Sequence, residues 1–247
     1  MSTEQLDLSG FTRVDIKGAF RFEVVRADRY SVGIERSWLM HPRVDVRGDT
    51  LVIYEPWYDV AHWLAPWRTP WAKVEMPGLR ELRVSGASRG SATGFNSSQE
   101  FRLMVQGASH LTGEIKAGAS EMDVAGASQL QLAMSASELK VKVAGASRIK
   151  GELKADKGDI QVAGASRIGV KGAMGEATIN VAGASRLDMD DFTIRNANIK
   201  LAGASQCRVK VNGKMDAELA GASRLVYGGN PVMGNVRAVG ASQLERK

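Results

Sequence analysis

From Val143 to Leu187 the chain reads VAGASRIKGELKADKGDIQVAGASRIGVKGAMGEATINVAGASRL. Apolar and polar residues alternate, and the same three small residues interrupt them at a fixed distance. Before each interruption the alternation runs Val141-Lys142-Val143, Ile160-Gln161-Val162 and Ile179-Asn180-Val181. After it, the apolar position is the second beyond Ser, at Ile149, Ile168 and Leu187. A period of two over such short runs predicts strands with one buried face. The 3.6-residue period of an amphipathic helix is absent.

Gly-Ala-Ser begins at Gly86, Gly107, Gly126, Gly145, Gly164, Gly183, Gly203, Gly221 and Gly240, in steps of 18 to 21 residues, most often 19. Another copy, at Gly118, is out of phase and belongs to a different part of its coil. A unit of this length is too short for a four-stranded propeller blade and contains no helix pattern. It predicts one coil of an all-β solenoid, with two or three short strands joined by Gly-rich corners. Parallel coils stack about 4.8 Å apart, so each aligned position becomes a ladder along the rod. Gly supplies the backbone conformation that a Cβ forbids at a sharp corner. Parity with the Leu/Ile column points the Ser hydroxyl inward, towards backbone partners.

The N-terminal third repeats this grammar faintly. VDIKGAF sets Val14, Ile16 and Gly18 as strand and corner, and VDVRGDTLVIY does so again with Val44, Val46 and Gly48. Residues 1–9 are expected to be flexible, 10–85 to form irregular first coils and a cap, and 86–247 to form regular coils of the same continuous domain. The insertion over 54–73 carries Trp57, Trp63, Trp67 and Trp71. Its prolines leave room only for a brief helix around Asp59–Leu64. Either the rings pack on the solenoid, or they form an exposed contact for a second copy of the chain or for sugar rings. At the other end, Glu245, Arg246 and Lys247 are expected to discourage further edge pairing.

Composition narrows the classes. The net charge of +6 permits a polyanionic partner without requiring one. The single cysteine, Cys207, excludes an intrachain disulfide and falls in the Leu/Ile column, where it reads as a small buried apolar residue. No apolar run is long enough to span a membrane. The opening MSTEQLDLSG lacks the basic and apolar regions of a signal peptide, so the chain reads as soluble and made in the cytosol. A chain trimmed of its leader would read the same way, and the compartment stays open.

Candidate chemistry is sparse. His41, His62 and His110 are scattered, and there is no nucleophile elbow or phosphate loop. No catalytic residue, metal or cofactor is expected. Asp188, Asp190 and Asp191, with Asp156 and Asp159 one coil away, could supply paired carboxylates for glycoside hydrolysis or a weak calcium site. A solvated corner is the plainer reading. Arg148-Ile149-Lys150 matches a fragment of a pectin-hydrolase motif but is one variant of a column that elsewhere reads RLD and QLQ.

The residue after each corner Ser should point outward. It is Arg at Arg89, Arg148, Arg167, Arg186 and Arg224, and His or Gln in the other coils. Three consecutive coils thus stack Arg on Arg on Arg. This is either a solvated face whose long stems cover the corner, or a linear stripe for a polyanion. An acidic glycan or a phosphate-bearing envelope polymer would suit the bidentate guanidinium. Nucleic acid is not expected, because no aromatic residues interleave with the stripe.

The opening GFTRVDIKGAFRFEVV, the run LRVSGAS, the iterated Gly-Ala-Ser coils and the closing VYGGNP together resemble the auto-transporter adhesins, head GIN domain. The resemblance extends from about Phe11 to Leu244. It implies a right-handed single-stranded parallel β-helix on a secreted or surface-attached bacterial protein, and brings no catalytic or binding residues with it. The expected function is a non-enzymatic module for binding or adhesion at a bacterial envelope. The alternatives are a polysaccharide-active enzyme and a structural module that self-associates through the Trp-rich insertion.

Overall fold

The computed structural model describes residues 2–36, 41–56 and 69–247. Among these residues there is no helix, and 21 strands join in one continuous sheet wound into a parallel β-solenoid. The central coils repeat without a slip. Arg148–Val162 lies beside Arg167–Val181 with Arg148 opposite Arg167, Ile160 opposite Ile179 and Val162 opposite Val181. Elsewhere the coil breaks into two strands, as in His110–Lys116 and Ala119–Val124.

Alternation does the folding. Ile149, Ile168, Leu187, Cys207 and Leu225 form one inward ladder, and Ile160, Ile179 and Ile199 another; all are buried. Each such aliphatic side chain taken out of water is worth about 1.5–3 kcal/mol. A slip of one residue would turn every one of them outward.

The corners explain the small residues. Gly145 has φ +87°, and a Cβ there would stand 2.4 Å from the carbonyl oxygen of Gly126 in the preceding coil. That oxygen accepts the Ala146 N–H at 2.8 Å, so the corners are hydrogen-bonded to one another. Ser166 is buried as parity requires; its Oγ donates to the Gly145 carbonyl at 3.1 Å and accepts the Ser147 N–H at 3.3 Å. The out-of-phase Gly118 lies at the opposite bend, where its carbonyl accepts the N–H of Ser137 at 2.7 Å.

The N-terminal region departs from chain order. Arg13–Gly18 lies between Thr50–Tyr54 and Glu81–Gly86, parallel to both. Arg21–Arg26 lies in the same way between Trp71–Met76 and Arg89–Asn96. The coil read first is therefore second in space, and Gly86 stacks on Gly18. Gly48 is not a coil corner. It is the positive-φ turn of a hairpin in which Arg43–Arg47 runs antiparallel to Thr50–Tyr54. Leu51 and Ile53, opposite Val14 and Ile16, fill the core columns, leaving Val44 and Val46 half-buried in the cap. Nor is the whole of 1–9 loose: Ser2–Leu6 pairs antiparallel with Ser31–Arg36, which pairs antiparallel with Trp71–Met76. Residues 57–68, with Trp57, Trp63, Trp67 and the brief helix expected near 59–64, fall outside the described residues.

Candidate functional site

The outward column beside the corners begins with a backbone constraint. The N–H of Arg148 donates to the Ser128 carbonyl at 2.8 Å, and those of Arg167 and Arg186 donate to Ser147 and Ser166 at 2.9 Å. Each Arg is thus pinned at its Cα one residue beyond a buried Ser and turned outward by the pleat. Arg148, Arg167 and Arg186 are exposed and in register on three successive coils. Arg89 stands higher in the same column, separated from them by His110 and Gln129; Arg224 stands below, beyond Gln206.

Counter-charges are unevenly placed. Arg224 meets Glu245 at 2.6 Å, and this bond raises its pKa above the ordinary arginine value. Arg186 has Asp188 at 3.9 Å. Among the described residues Arg148, Arg167 and Arg89 have no acidic partner within ion-pair distance. The next outward column adds Lys150, exposed and likewise without an ion pair, followed by Gly169. Nothing lies within 4 Å of where a Cβ would stand on Gly169, so a notch opens beside Arg167. The uncompensated centre is therefore Arg148, Lys150 and Arg167, with Arg186 at its edge.

Two members of this column escaped the sequence. Arg21 is opposite Arg89, and Trp71 is opposite Arg21, so the column starts as Trp71, Arg21, Arg89. Trp71 is half-buried, while the next residue, Ala72, points into the core. An indole and two exposed guanidinium groups therefore head the stripe that Arg148, Arg167 and Arg186 continue. Eleven stacked positions from Trp71 to Gln243 make a line of about 48 Å at strand spacing.

The carboxylates that could have paired at one acidic corner are not all brought together. Asp188 is opposite Gly169 on the face that carries the Arg column, whereas Asp159 is opposite Thr178 on another face. Asp188 and Asp190 both lie 3.9 Å from Arg208, and Asp190 also meets Lys247 at 3.3 Å. Both thus sit beside cations of later coils, half-exposed on the surface. Cys207 is fully enclosed, and burial, with the nearby Asp188 charge, pushes its thiol pKa up to about 12. It is an inert core residue.

A second concave strip runs along the preceding corner edge. Its floor is the exposed Ala144, Ala163, Ala182 and Ala202, and its wall is Lys142, Gln161, Asn180 and Lys200. It carries fewer uncompensated charges than the Arg column, since Lys142 bonds Glu121 at 3.3 Å and Lys200 meets Glu218 at 3.1 Å.

Comparison with known proteins bears on fold and family. The sequence model of a family described as "Putative auto-transporter adhesin, head GIN domain" matches residues 10–168 and 133–231. The two matches overlap, as near-identical coils allow when an alignment slides by whole coils. A crystal structure named "putative adhesin" from Parabacteroides distasonis is 16% identical with a TM-score of 0.72, covering all of this chain and 96% of that one. Another "putative adhesin", from Parabacteroides merdae, is 14% identical with a TM-score of 0.66, covering all of this chain and 95% of that one. A "putative lipid binding protein" from Parabacteroides distasonis is 18% identical with a TM-score of 0.65, again covering all of this chain and 96% of that one. At these identities the likeness is one of fold. No curated protein matches the chain.

Proposed function

Because the chain belongs to the putative auto-transporter adhesin, head GIN domain family, we propose that it is a non-enzymatic binding module that holds a linear acidic glycan along its Arg column, outside a bacterial cell. The observation that carries this reading is the in-register, exposed stack of Arg148, Arg167 and Arg186 on consecutive coils. Like charges this close repel by up to about 1 kcal/mol per neighbouring pair in water. A polyanion lying along the column converts that repulsion into attraction, and each guanidinium can take a carboxylate or phosphate with two parallel hydrogen bonds.

Trp71 favours a sugar-based polymer over a bare phosphate chain. A flat indole at one end of a cationic line offers a stacking surface for a pyranose ring, with Arg21 and Arg89 beside it for the acid groups. The rigid sheet adds little ordering cost on the protein side. The Asp188–Asp190 pairing with Arg208 argues against the enzyme alternative, since a hydrolase needs two carboxylates free to face a scissile bond.

The test uses immobilised polygalacturonate and polyphosphate as probes. The full chain should bind polygalacturonate, and the triple change Arg148→Ala/Arg167→Ala/Arg186→Ala should weaken it by about tenfold or more. Trp71→Ala should weaken the glycan arm and leave the polyphosphate arm unchanged. The reading fails if neither polymer binds, or if the triple variant binds as well as the parent. Cleavage of the glycan that is lost in Asp190→Ala would restore the enzyme in its place.

A further inference from the structure

The two ends of the solenoid differ. At the N-terminal end the outermost strands are antiparallel, and Arg43–Arg47 presents the exposed charges Arg43, Asp45 and Arg47. That is a blunted edge. At the other end the last coil, Val232–Ala238 and Gln243–Arg246, pairs only with the coil beneath it, leaving its outer edge unpaired among the described residues. Met233 and Val236 lie in register with the core residues Met215 and Ala217, so they point inward, yet they are 39% and 41% exposed. With Val232 at 72% and Val239 at 45%, the large exposed hydrophobic residues of the described chain all fall in this one coil.

The charges expected to guard this edge are turned away from it. Glu245 reaches back to Arg224 at 2.6 Å, Arg246 to the Gly229 carbonyl at 3.2 Å, and Lys247 to Asp190 at 3.3 Å. Among the described residues, the coil thus leaves its outer backbone hydrogen-bonding groups unpaired beside an apolar interior.

We propose that this end coil is an interface between two copies of the chain, joined end to end about a two-fold axis. The occupant must offer unpaired strand edges on the same bent outline and an apolar interior within it, and a second end coil does both. A coil of about 19 residues per side is close to the 20–30 residues of a standard interface. Two-fold joining consumes both open ends and leaves the charged N-terminal edges outermost, so the assembly closes as a dimer and does not grow into a filament. It also sets the two Arg columns on one elongated body.

The test is sedimentation of the full chain across the micromolar range. The parent should be a dimer that dissociates on dilution, and Val236→Asp should raise the dissociation constant by about tenfold or more with an unchanged circular dichroism spectrum. Val232→Cys should cross-link two chains under mild oxidation, while Arg43→Cys should not; buried Cys207 does not interfere. A parent that stays monomeric at the highest concentration overturns the proposal. So does a dimer that survives Val236→Asp, which would place the contact elsewhere, such as the Trp-rich insertion. Open-ended polymers would overturn the two-fold arrangement.

Discussion

At the corner the decisive atom is one that is missing. Gly145 has a left-handed φ, and its carbon faces the Gly126 carbonyl oxygen at a distance that no Cβ can share. Gly145→Ala should therefore cost about 2 kcal/mol or more, read as a lower midpoint in denaturant. Gly169→Ala is the matched control, because open space surrounds that position and φ there is ordinary. It should be neutral or slightly stabilising through the unfolded chain. The inward Ser and outward Arg beside each corner follow from parity alone and were legible in the sequence. Lys150 was not read as part of the stripe. Its column alternates with Gly169 and Asp188, and only the absence of an ion pair marks it out.

The coil is the unit of the next scale. Because Arg148–Val162 and Arg167–Val181 keep one register throughout, residues 148–166 can be removed as a whole. Arg167 would then follow Ser147 and stack on Gln129, as Arg148 does now. The shortened chain should remain folded with its strand spectrum intact. Deleting Ala155 alone should destabilise it more, since Lys157, Gly158, Asp159, Ile160, Gln161 and Val162 would have to change faces or bulge before the next corner. Circular dichroism and a denaturation curve for each decide the matter. The same regularity explains why the central coils could be read from spacing and the first ones could not. Alignment of repeats assumes that chain order is spatial order, but Arg13–Arg26 sits between strands that come later on both sides. Trp71 therefore reads as part of an insertion in the sequence, while in the fold it heads the Arg column.

At the scale of the whole molecule, the described residues form a rod whose first edge is charged and antiparallel and whose last coil is apolar, with a line of cations along its length. A net charge of +6 alone says little. What matters is that Arg148, Lys150 and Arg167 lie together without acidic partners among the described residues, whereas other outward cations, such as Arg102 with Glu121 at 3.0 Å and Lys200 with Glu218 at 3.1 Å, meet a carboxylate of a neighbouring coil. Binding governed by such a line must depend on salt, because each anionic group it neutralises releases a counterion. The most direct measurement is the affinity for polygalacturonate across a salt series, for the parent and for Arg148→Ala/Arg167→Ala/Arg186→Ala. The account predicts a steep loss of affinity with salt for the parent, and a slope shallower by about two to three for the variant. Equal slopes, or binding indifferent to salt, would contradict it.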